Sequence, residues 1–90
     1  LLVYIGEHIK MKTFQLSQDV QVVADWKKTR NGFKHEATIL KNGNQVGFAK
    51  VNYLNRTWEA YEYQTAIERA IQLSSLSPEE KKKLIEVINR

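Results

Sequence analysis

The chain has 90 residues, 42% of them hydrophobic, and a net charge of +4 with a pI near 9.4. That length makes one domain able to bury a core with a modest margin. The absence of cysteine excludes disulfide staples and zinc–thiolate centres and fits a reducing, cytoplasmic setting, and no window is long or apolar enough to cross a bilayer as a helix.

The opening LLVYIGEHIK is apolar for only its first five residues and lacks the basic leader and small-residue cleavage site of a signal peptide. Met11 opens the next segment, so translation from Met11 would make residues 1–10 a non-native leader, whereas a non-AUG start upstream would make them native. MKTFQL reads as a strand at a sheet edge, and the leader would pair with it as a hairpin through Gly6.

Two Asn-Gly pairs, Asn31-Gly32 and Asn42-Gly43, each lie between alternating runs. Both residues of a type I′ turn need positive φ, which makes Asn-Gly a strong hairpin signal. Arg30 facing Phe33 across the first turn sets Trp26 against Ala37. Lys41 facing Asn44 across the second sets Ile39 against Val46 and Ala37 against Phe48. Both registers put Val22, Ala24, Trp26, Ala37, Ile39, Val46 and Phe48 on one face. Asp25, Lys27, Thr29, Lys34, Glu36, Thr38, Gly47 and Ala49 fall on the other. Residues 20–53 thus read as an antiparallel meander with one buried face.

A buried sheet face needs a cover. From Trp58 the period becomes helical: Ala60, Tyr63, Ile67, Ala70, Ile71 and Ser74 share one face, with Ala66 and Leu73 beside it. Glu59 and Glu62 sit in the first turn, where the helix dipole favours them. SPEE, Ser77 to Glu80, is a capping box with proline at the first helical position. A short helix over 78–89 follows, with Leu84, Ile85 and Ile88 on one side. The expected fold is α+β in a single domain, 1–90: an antiparallel β-meander of three to five strands, one face covered by a helix over 58–74, then a short final helix.

Charge is uneven along the chain. Lys10 to Arg56 holds nine Lys/Arg against three Asp/Glu, and Thr57 to Arg90 five against six. The expected register gathers Lys27, Lys28, Arg30 and Lys34 at the first hairpin tip, with Lys50 opposite His35 and Arg56 at the same end. A basic hairpin can track phosphates by counterion release, and a two-stranded ribbon can enter a major groove. Lysines also guard sheet edges and tips against misplaced pairing, and Glu36 is expected to pair across to Lys27. The balance points to a nucleic-acid partner.

Aromatics crowd the passage from strand to helix. Tyr63 falls on the core face and Trp58 over the end of the sheet. Tyr53, Trp58 and Tyr61 are candidates for base stacking or for docking a protein, a second copy included. TRNGFKHEATI and AKVNYLNRTWEAYEYQTAI resemble small uncharacterised proteins encoded by bacteriophages and prophages of Gram-positive bacteria, which carry a similar Asn-Arg-Thr-Trp-Glu segment after a β-hairpin. The resemblance spans Thr29 to Ile71 and implies provenance rather than activity. A likeness to the double-stranded RNA binding domain is topological only, because the helix begins TWEAYEY, acidic and aromatic, where that family places lysines.

Nothing in the chain reads as an enzyme. His35 and Glu36 are adjacent on a strand and point to opposite faces. His8 lies in the leader, no glycine-rich phosphate loop is present, and no nucleophile has an adjacent base. Glu59 and Glu62 are better explained by the helix dipole than by a metal. No cofactor and no small-molecule substrate is expected. Asn55-Arg56-Thr57 matches the glycosylation acceptor pattern by chance.

Overall fold

A computed structural model of the chain describes residues 3–8, 11–30, 32–53 and 59–89, with side chains for 12–27, 29–30, 32–52 and 64–89. Its sheet has five antiparallel strands in sequential order. These are β1 (Val3–His8), β2 (Met11–Gln15), β3 (Val20–Thr29), β4 (Gly32–Lys41) and β5 (Asn44–Tyr53). Helix α1 (Glu59–Leu73) lies on β5 and β4 and reaches β3, and α2 (Pro78–Ile88) packs on α1. The expected α+β meander with a helical cover is therefore present.

The covered face is made by Val20, Val22 and Ala24 of β3, Ala37 and Ile39 of β4, and Ala49 and Val51 of β5. They meet Ala66, Ile67, Ala70 and Ile71 of α1. A fully buried Ile or Val contributes about 1.5–3 kcal/mol relative to leaving it in water, so this layer carries most of the stability. Leu84 and Ile88 of α2 join the same core with Phe14 and Leu16. Ser77 caps α2 as expected, its Oγ accepting the Glu80 N–H at 3.2 Å. The Glu80 carboxylate does not return to the cap; it bonds Lys41 instead.

Both hairpins depart from the expected register, in different ways. In the first, Thr29 pairs with Gly32, Lys28 with Phe33, Trp26 with His35 and Ala24 with Ala37. The pairing is displaced by two residues, so Gly32 belongs to β4 rather than to the turn, and Asn31 lies outside the described residues. A two-residue shift keeps every side chain on its face, which is why the burial of Val22, Ala24, Ala37 and Ile39 still agrees. His35 is only 1% exposed, because it shares the helix side with Ala37.

The second turn has the expected geometry, with Asn42 at φ 51° and Gly43 at φ 82° and Lys41 opposite Asn44. The register then breaks. Leu40 pairs with Gln45 but Ile39 pairs with Gly47, leaving Val46 as the extra residue of a β-bulge. One extra residue reverses the parity of everything beyond it. Gly47, Ala49 and Val51 turn toward α1, and Phe48, expected in the core, is 39% exposed on the open side.

Steric demand explains the inversion. A Cβ on Gly47 would stand 2.6 Å from the Ala70 carbonyl oxygen and 2.7 Å from Ser74 Cβ. The helix backbone lies directly on β5, where only a missing side chain or a small one fits, so Phe48 must face away. Leu73, expected on the flank of the core stripe, is likewise exposed. Gly6 does not turn the first hairpin; it pairs with Thr13 beside a bulge, and the β1–β2 ladder ends at His8 and Met11.

Candidate nucleic-acid interface

On its β2 side the first hairpin outruns its neighbour, while on the other side β5 stays paired with β4 as far as Phe33 and Tyr53. The β2–β3 ladder ends at Met11 and Asp25, while β3 and β4 stay paired to Thr29 and Gly32. Trp26 to Thr29 therefore stand beyond the reach of β2 among the described residues. The Trp26 and Phe33 rings, 5.8 Å apart and tilted by 60°, brace this projecting piece on the helix side.

On the open side Lys27 lies directly across from Lys34, and beyond them Arg30 is exposed in the loop. Like charges facing each other across a strand pair are destabilising. Lys27 is exposed. Lys34 has an ion pair with Glu36, two residues along its own strand, at 3.1 Å; the expected Glu36–Lys27 cross-strand pair does not form. The next row of this face reads Asp25, Glu36, Lys50 across three strands. Lys50 is exposed and opposes Glu36 rather than His35, because the bulge has moved it to the open side. The two carboxylates confine the surplus positive charge to the extremity of the hairpin.

The backbone register puts Lys28 on the opposite side of the ribbon from Lys27 and opposite Phe33; its side chain lies outside the described residues. Arg56 and Trp58 lie outside them altogether, as do the side chains of Tyr53 and Tyr61. The structure therefore brings Lys27, Lys34 and Arg30 together, adds Lys50 in the next row beside Asp25 and Glu36, and does not position the remaining candidates.

A second charged cluster, unforeseen from sequence, occupies the other end of the sheet. Lys41 Nζ is 2.8 Å from Glu80 Oε1 and 3.8 Å from Asp19 Oδ2, and the Asn42 N–H donates to the Asp19 carbonyl at 2.9 Å. The hydrogen bond to Glu80 and the nearby negative charges of Glu80 and Asp19 raise the Lys41 pKa above its ordinary 10.5 against a smaller opposing effect of desolvation. An open cleft of about 380 Å³ beside this cluster is lined by Ser17, Asp19, Ser77, Glu79, Glu80 and Lys83 among others. Among the described residues no group of three or more His, Asp or Glu could hold a metal ion, and no helix is long and apolar enough to cross a membrane.

No family model, curated protein or solved structure matches the chain.

Proposed function

We propose that the chain is a small non-enzymatic binding module whose first hairpin meets nucleic acid, made in the cytoplasm of a bacterium during phage infection or from a prophage. One observation carries the reading: Lys27 and Lys34 face each other directly, with exposed Arg30 just beyond. Such an arrangement costs folding free energy on its own and is relieved when a polyanion lies across it. The provenance rests on the likeness of Thr29 to Ile71 to phage and prophage proteins.

Binding to labelled duplex and single-stranded oligonucleotides as a function of salt tests this. Three phosphate contacts give a slope of log K against log salt of roughly −2.7 for a duplex and −2.1 for a single strand. Replacing Lys27 or Arg30 by Gln reduces that slope by about 1 without changing sequence preference. No binding at low salt, or a slope unmoved by both substitutions, would remove the hairpin from the interface.

A further inference from the structure

β5 is the outermost strand on its side of the sheet. Its free edge starts at the bulge, where the Ser75 N–H takes the Val46 carbonyl at 2.9 Å. From Gly47 to Tyr53 no described residue pairs with it. Proteins guard such edges with short strands, prolines, bulges or several charges. The opposite edge, β1, is six residues long with a bulge in its middle. β5 has ten residues, no proline, one lysine, and a bulge only at its start.

Two large apolar side chains are exposed among the described residues, and both border this edge: Phe48 at 39% and Leu73 at 68%. Phe48 lies on β5 itself, on the open side. Leu73 belongs to α1. At 100° per residue it is half a turn from Gln64, which bonds Asn89 of α2 at 2.7 Å, so it lies on the flank away from α2. The α2 start lies toward the β2–β3 turn, where Lys41 links Glu80 and Asp19. Leu73 therefore overhangs the β5 side, next to Ser74 and the Gly47 contact. A strand added to β5 would be held between Leu73 above and Phe48 below.

We infer that this edge is a homodimer interface, in which β5 pairs antiparallel with β5 of a second copy about a two-fold axis at Ala49. A two-fold perpendicular to the sheet pairs only residues of the same face. Centred on Lys50, it would oppose two like charges. Centred on Phe48, it would set the partner's Lys50 against Val46 at the bulge, away from the aromatic ring. Centred on Ala49, it sets Phe48 against the partner's Lys50, a cation beside an aromatic face, and does so twice. On the helix side Gly47 meets the partner's Val51, beneath Leu73. An aromatic and a cation two residues apart on one strand each gain a partner across such an axis, twice over, which favours a second copy over an unrelated peptide.

Sedimentation velocity on the full chain tests the pairing independently of any oligonucleotide. The unmodified chain sediments as a dimer at micromolar concentration. Phe48→Lys opposes two lysines at both symmetric contacts and weakens dimerisation about a hundredfold or more; Phe48→Glu opposes Lys50 with a carboxylate and stays dimeric. Leu73→Lys weakens the dimer by about tenfold. All three substitutions fall at exposed side chains, Phe48 and Leu73, so the variants keep a cooperative melt by circular dichroism. A monomeric unmodified chain, a Phe48→Lys variant as dimeric as the parent, or a monomeric Phe48→Glu would each overturn the inference.

Discussion

At one end of the sheet Lys41 lies between Glu80 and Asp19; at the other Lys27 lies opposite Lys34. The first end is where turns, loop and both helices converge. The Asn42-Gly43 turn bonds the β2–β3 turn, Ser75 bonds the bulge, and Gly47 accepts the helix backbone. The second end carries exposed cations beyond the reach of β2. The difference teaches that the same residue type, lysine on a strand end, serves cohesion where acids converge on it and is left to solvent or a ligand where they do not. Substitutions should therefore divide: those near Lys41 read out as stability, those near Lys27 as binding.

The largest effect belongs to the packed end. Ile39 is fully buried under α1, and Ile39→Ala should cost about 2–5 kcal/mol in urea unfolding, from lost transfer energy plus the cavity left behind. Gly47→Val comes next. Its Cβ must displace helix backbone rather than a flexible side chain, so a loss of about 1–3 kcal/mol is expected, with lifted protection of the α1 amides as the structural sign. A strand that tolerated valine there would mean the helix does not rest on β5.

At the other end the sign reverses. Lys27→Glu places a carboxylate opposite Lys34 and should leave stability unchanged or raise it by about 0.2–1 kcal/mol, while oligonucleotide affinity falls. If it destabilised the fold instead, the two ends would not differ in kind. The smallest effect is a pH dependence. Lys41 has its pKa raised in the folded chain. Its contribution is fully present below the unfolded value of 10.5 and is lost as pH rises through the higher folded value. Thermal melts should therefore fall in the alkaline range, and Lys41→Met should flatten that decline.

Much of this architecture can be read from residues alone. Alternation in Val20–Leu40, the Asn42-Gly43 turn and the Ser77-Pro78 helix start each have a local cause, and each appears where expected. The inward side of β5 could not be read in the same way. Phe48 looks like core to any hydrophobicity argument, yet the bulge, whose extra residue Val46 stays partly buried against the core, hands the inward positions beyond it to Gly47 and Ala49. The available clue was size rather than polarity: small residues at alternate strand positions match the small Ala66 and Ala70 of the helix. The first hairpin shows the complementary case, where a two-residue displacement preserved every face and so left the basic tip recognisable. The Lys41 cluster joins Asp19, Lys41 and Glu80 from distant parts of the chain, a juxtaposition that no local pattern encodes.

The amide of Asn42, held by the Asp19 carbonyl, has a consequence for how the molecule breathes. Hydrogen exchange at that amide requires the β2–β3 turn to part from the β4–β5 turn, beside the place where Lys41 bridges to α2. The Lys28 and Thr29 amides lie on the part of β3 that β2 does not reach, and exchange there needs only the end of β3 to fray from β4. Local opening should thus begin at the cationic extremity and stop short of the knotted corner, so that the region offered to a ligand can yield in shape while the remainder of the sheet stays closed.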